Sequence, residues 1–317
     1  MKRIAITGAS GYIGQRLLAR LEAEPTVERV LALDIRPLPS PSPKVTFVEH
    51  DVTRPMEELF TAHGIDTAVH LAFLVDPIHD RERERRINVG GTENFLAACH
   101  AAGVETLLMA SSATVYGAWP DNPPFLTEES PLRGKPGFPY VEDKLAMEAL
   151  TARYAKEHPD CRVLITRAVV VAGPNVNNFL SRFLERPVMF IARGTDPLVP
   201  LVHEDDVAEA KAYLLLEAPA GAYNLSAPNP VRLREVSHRA GTRVVALPPG
   251  LLYPLAGLAW KLRLRWLSEA PPAMLDYIRY SWTADGSKVT QVTGFRYRYD
   301  GPATIEAFLR QRTRGRS

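Results

Sequence analysis

The chain has 317 residues, 46% of them hydrophobic, with a net charge of +2. That is enough apolar material for a sizeable core and for two closely joined domains. The near balance of charge gives no footing for nucleic acid or an acidic membrane as the general partner. The two cysteines, Cys99 and Cys161, have neither metal-ligand nor redox spacing. They read as reduced core thiols of a cytoplasmic protein.

In chain order, "MKRIAITGASG" runs directly into a strand and a glycine turn, without the pattern of a signal peptide. Apolar runs at 4–7, 30–33, 45–48, 67–71, 106–110 and 163–166 predict short buried strands, and amphipathic stretches at 12–21, 87–101 and 140–156 predict helices between them. Strand and helix in alternation imply an α/β fold: a doubly wound parallel sheet of the Rossmann type, with a smaller C-terminal substrate domain. The division is 1–171 for dinucleotide binding, with 203–227 returning to it, and 172–317 for substrate. The loop "PLPSPSP" (37–43) is a surface connection, since strand patterning resumes after it. The mixed-sign run 81–86 reads as a solvated helix start. The apolar segment 251–260 contains Pro254 and stops at Lys261, too short for an integral membrane span.

The first strand ends in "TGASGYIG" (7–14), which places Gly8, Gly11 and Gly14 at three-residue spacing. Glycines here permit a sharp turn and the close approach of backbone N–H groups to a pyrophosphate, at the positive end of the next helix. About twenty residues later Asp34 closes the second strand, where a carboxylate accepts from ribose hydroxyls and repels a 2′-phosphate. NAD is therefore the expected cofactor, although Arg36 stands two residues on. Tyr140 and Lys144 lie one helical turn apart in "PYVEDK" (139–144), and Ser112 follows the strand at 106–110, at its carboxyl end.

Together "TGASGYIG", "HDV" (50–52), "VHLAF" (69–73), "NVGGTENFL" (88–96), "SSATVYG" (111–117), "PYVEDK", "LVHEDDVA" (201–208), "YNLS" (223–226) and "DGSKVTQVTGFRY" (285–297) resemble the extended short-chain dehydrogenase/reductases, and within them the NAD-dependent epimerase/dehydratase family. The resemblance implies Tyr140 as general acid/base, Lys144 as a ligand of the nicotinamide ribose, and Ser112, assisted by Thr114, as the group holding the reacting oxygen. A free phenol ionises near pH 10, so nearby positive charge from Lys144 and an oxidised nicotinamide would have to favour its ionised form. It assigns Tyr12 and Ile13 to the phosphate turn, Asp51 and Val52 to the adenine pocket, Leu71 and Ala72 to the pyrophosphate side, and Asn88 to the nicotinamide. For Val52, Leu71 and Ala72, core packing explains the residue type almost as well. His70 and His203 match family positions but suit structural roles.

The departures bear on substrate. The acidic pair of sugar-nucleotide dehydratases is replaced by Ala113 and Thr114. The asparagine three residues after Arg167 is Val170. The diphosphate-binding arginine four residues before His203 is Val199, and Arg279 lies out of register with a second one. A diphosphate left unpaired in a partly dry pocket costs several kcal/mol. The expectation is therefore an NAD-dependent oxidoreductase acting at a hydroxyl or keto carbon of a small or moderately apolar substrate. One alternative is an NDP-sugar 4-epimerase whose phosphate ligands have moved to Arg182 or Arg193. Another is a non-catalytic NAD-sensing regulator, against which the intact Ser112, Tyr140 and Lys144 argue. The segments 177–192 and 247–267 are greasy and suit core helices or an apolar pocket. Lys261, Arg263 and Arg265 alternate with apolar residues, as in a surface that touches a membrane. The resemblance also implies a homodimer through the helices at 87–101 and 140–156, with Leu145, Met147, Leu150 and Tyr154 as surplus apolar surface.

Overall fold

The structure is a computed structural model and describes residues 1–39, 42–177, 182–183 and 186–314, with side chains to 310. The elements of the first half are β1 (Lys2–Thr7), α1 (Tyr12–Glu22), β2 (Val27–Asp34), β3 (Val45–Glu49), α2 (Glu57–Ala62), β4 (Thr67–His70), α3 (Arg81–Arg85), a π turn (Arg86–Gly90), α4 (Gly91–Ala102), β5 (Thr106–Ser112), a 3-10 turn (Ala113–Tyr116), α5 (Pro139–Glu157) and β6 (Arg162–Ala168). After β7 (Val170–Ala172), β8 (Val188–Ala192), β9 (Leu198–Val199), β10 (Leu201–His203) and α6 (Glu204–Glu217), the chain returns to the sheet as β11 (Gly221–Leu225). Then come β12 (Val231–Arg232), α7 (Leu233–Arg239), β13 (Arg243–Leu247), α8 (Pro249–Lys261), a 3-10 segment (Pro272–Ile278), α9 (Ser287–Thr293) and α10 (Gly301–Arg314).

The main sheet has seven strands in the order β11-β6-β5-β4-β1-β2-β3, all parallel. Side chains alternate between its faces, so Ile4 and Ile6 join one buried cluster while Ala5 joins another, and Val30 and Ala32 part from Leu31 and Leu33 in the same way. Burial on both faces is why these strands read as continuous apolar runs. Strand order reverses between β1 and β4, so the loops after these two strands splay apart and open a crevice at their carboxyl ends. Smaller pairings occupy the second half: β7 with β10, β8 with β13, and an antiparallel β9 with β12. Residues 178–181 and 184–185 of the greasy stretch lie outside the described residues.

Two readings of the sequence need correction. The run 81–86 is not wholly solvated. Arg81 forks onto Asp143 at 2.7 and 2.5 Å, and Glu84 is fully buried, because positions three apart on α3 turn toward α5. Burial raises the Glu84 carboxyl to about 7. The supposed surplus of α5 is not surplus either. Met147 and Tyr154 are buried in the chain's own core, and Leu145 and Leu150 pack against it, so these residues give no argument for a second copy.

Candidate active site

The crevice is a cleft of about 1470 Å³ that runs from the glycine turn to the second half of the chain. At the glycine turn, Gly8 has φ +72°, and a Cβ there would lie 2.6 Å from the backbone nitrogen of Ala72. A Cβ on Gly14 would meet the carbonyl oxygen of Gly8 at 2.3 Å. The turn therefore presses β1, α1 and the β4 loop together as only glycine allows. Gly11 caps α1 with extended backbone, no side chain occupies the cap, and the first turn holds no acidic residue, which leaves the helix's positive end free for an anion. Tyr12, Ile13, Leu71 and Ala72 line the same stretch.

Asp34 ends β2 almost fully buried and accepts from the N–H groups of Ser10 and Arg36, both at 3.0 Å. Two backbone donors hold the carboxylate in place, with lone pairs to spare for a ribose diol. Asp51 and Val52 also line the cleft. The Thr53 N–H, at 2.9 Å, holds the Asp51 carboxyl below its usual range. An uncapped helix start, a fixed carboxylate and a glycine cradle fit a dinucleotide. Asn88 does not line the cleft as expected. It accepts from Leu74 N–H at 2.8 Å and donates to Asp143 at 3.0 Å, so it ties the β4 loop to α5.

Further along the cleft, β5 ends at Ser112 and Pro139 opens α5, which brings Ser112, Thr114, Tyr140 and Lys144 onto one wall. The Ser112 hydroxyl accepts from Thr114 Oγ1 at 3.0 Å and shares the cleft wall with the Tyr140 phenol. Burial pushes that phenol up, opposed by Ser112. Lys144 donates to the Ala110 carbonyl at 2.7 Å, sits 3.5 Å above the Phe73 ring, and is 6.0 Å from the Tyr140 ring centre. Burial first, then Lys211, lowers its amine to about 7. In the protein alone, desolvation thus prevails over any help that Lys144 gives the phenol, and Tyr140 is held as the neutral acid.

The structure adds residues that sequence reasoning missed. Lys211 on α6 is buried, lines the cleft, and donates to Thr166 Oγ1. Burial lowers its amine to about 7. A lone lysine in "AEAKAY" carries no signal that it faces inward. Tyr277, from the distant 3-10 segment, donates to the Thr114 carbonyl at 2.8 Å and so joins the substrate side to the Ser112 wall. Arg167 holds Glu148 at 2.8 Å in a buried pair and serves the core rather than the cleft. His70 is buried between Thr7 and Phe95, with its ring nitrogen 2.7 Å from Thr7 Oγ1. His203 caps α6 and stacks on Tyr299. Both are structural.

Residues 4–226 match the NAD dependent epimerase/dehydratase family. The chain belongs to that family. NAD is its cofactor. Among curated proteins, an uncharacterized protein of Mycobacterium tuberculosis is 28% identical over 317 residues, covering 97% of this chain and 82% of its own length. UDP-glucose 4-epimerase 2 of Oryza sativa is 30% identical over 200 residues, which cover 57% of this chain and 47% of that one. Among solved structures, MoeE5 in complex with UDP-glucose and NAD superposes with TM-score 0.75 at 25% identity, covering 99% of this chain and 100% of that one. The UDP-glucose 4-epimerase of Thermus thermophilus in complex with NAD gives 0.76 at 21%, covering 98% of each, a likeness of fold. Among the described residues, no helix is long and apolar enough to cross a membrane, and no metal-binding cluster occurs.

Proposed function

We propose that this family member transfers a hydride at a hydroxyl or keto carbon of a small or moderately apolar substrate, with Tyr140 as the proton-transfer group. The observation that carries this reading is the composition of the cleft beyond Ser112. Val169, Val170, Val199, Leu233, Met274, Ile278 and Trp282 line it. Past Arg167, the described residues contribute one cation to it, Lys211. A nucleotide sugar would bring two phosphate charges into that wall without an arginine to meet them.

Bound NAD supplies the hydride acceptor or donor. Ser112 and Thr114 hold the substrate oxygen, and Tyr140 takes its proton in oxidation or returns it in reduction. Lys144, fixed by the Ala110 carbonyl, presents its amine to the cofactor's ribose. Because burial raises the phenol, oxidation should speed up as pH rises through neutrality, while reduction should stay level until the phenol ionises. Absorbance of NADH with a panel of alcohols and ketones tests the reaction. Inactivity across the panel, together with turnover of a UDP-sugar, would replace the reading.

The second reading, a sugar-nucleotide epimerase, is supported by the activity that names the rice relative and by the UDP-glucose held by MoeE5. The arginines that could have moved in do not line the cleft. Arg182 spans Asp76 and Glu269 at 2.9 and 2.8 Å, Arg193 is exposed, and Arg279 stacks on Tyr280 beside a different cavity. Calorimetry with UDP separates the two readings.

A further inference from the structure

Helix α8 carries an apolar stripe that the chain itself does not cover. Leu251, Leu255, Leu258 and Leu262 are 48%, 48%, 54% and 58% exposed, and Trp266 is 76% exposed just beyond the helix. The spacings of four, three and four place the leucines in one row. Another side of the helix is anchored: Leu252 and Ala259 are buried, Trp260 stacks on His79 with centroids 4.0 Å apart, and Tyr253 donates to Asp276 at 2.5 Å. The stripe is thus held outward on a fixed support. None of these leucines lines the cleft.

Charge decides what covers the stripe. Lys261, Arg263 and Arg265 are exposed at its end, and from 236 to 268 the sequence holds no Asp or Glu. A second copy meeting this face with the same stretch would bring no carboxylate to the three cations. An anionic bilayer presents the complementary charge and takes leucines into the acyl boundary with a tryptophan at headgroup level. We propose that the α8 face docks the protein peripherally on anionic lipid, with the leucine row inserted and the three cations among the headgroups. This docking is independent of the substrate reading.

The test is co-sedimentation of the full chain, with NAD, on phosphatidylcholine vesicles with and without phosphatidylglycerol, at low salt. Three near-surface cations should make the anionic vesicles roughly a hundredfold better bound. Trp266 fluorescence should shift to the blue on binding, and the shift should be absent in Trp266→Phe. Leu255→Glu/Leu258→Glu and, separately, Lys261→Glu/Arg265→Glu should each abolish the preference while NAD titrates as in the wild type. Because the readout is binding rather than turnover, an error about substrate leaves the result intact. Equal or no binding to the two vesicle types would overturn the proposal. So would an oligomer that Leu255→Glu/Leu258→Glu dissociates in light scattering.

Discussion

The two ends of the cleft are built by different rules. At the cofactor end, backbone does the work: glycines that tolerate no Cβ, an uncapped helix start, and a carboxylate held by two N–H groups. At the substrate end, side chains from segments far apart in sequence, Val170, Val199, Leu233 and Tyr277 among them, meet to form an apolar wall. Backbone geometry demands particular residues at particular spacings, whereas an apolar wall accepts many combinations of equal volume. On the proposed reading, the first end holds the cofactor and the second selects the substrate.

The boundary between the ends is Tyr140, and the largest expected effect lies there. Tyr140→Phe should lower kcat at least about a hundredfold, the usual contribution of a general acid/base, while NAD affinity stays near wild type. Steady-state rates with NAD titrated by fluorescence would show it. Undiminished turnover would remove Tyr140 from the chemistry. At the cofactor end, Asp34→Ala should weaken NAD by about thirtyfold, the worth of roughly 2 kcal/mol in charge-assisted hydrogen bonds, and narrow its advantage over NADP. A variant that prefers NAD as strongly as the wild type would remove Asp34 from the discrimination, whereas a switch to NADP would mean that Arg36 governs the site.

The same asymmetry explains what could be read from sequence. Gly8, Gly11, Gly14 and Asp34 were legible because each answers a backbone requirement at fixed spacing. The strands were legible because a sheet buried on both faces leaves an apolar run. The partners that hold Asn88, Leu74 and Asp143, could not be read locally because they are 14 and 55 residues away. Glu84 and Arg81 looked solvated because a mixed-charge run gives no sign of which members turn inward. Tyr277 reaches the Thr114 carbonyl across 163 residues, a contact no local pattern encodes. Val170 and Val199, the departures named from the sequence, both line the cleft.

Converting one end toward the other's logic gives a smaller effect. Val199→Arg restores a cation to the substrate wall, and UDP affinity should rise about tenfold, the low end for a partly solvated charge-assisted contact. Calorimetry of both proteins would measure it. No gain would mean that the wall excludes a diphosphate by shape as well as by charge.

The smallest effect concerns the buried amines that the cleft keeps at its floor. Lys211 and Lys144 each titrate near 7 in the folded chain, against an ordinary value of 10.5, because burial penalises their charged forms. Between about pH 7 and 10.5 the unfolded chain therefore binds more protons than the folded one, and stability rises with pH across that window. Below about 7 both states are protonated, the dependence levels off, and the full penalty of burying charge is present. Lys211→Met fills similar volume without a charge, so it should stabilise the protein below pH 7 by on the order of 1 kcal/mol, or a few degrees in Tm. The gain should shrink as pH rises from about 7 toward 10.5, and the slope of Tm against pH should flatten. Thermal melts at pH 6.5 and 9.5 compare the two. A variant less stable at both would mean that the hydrogen bond from Lys211 to Thr166 outweighs the penalty of burying the amine.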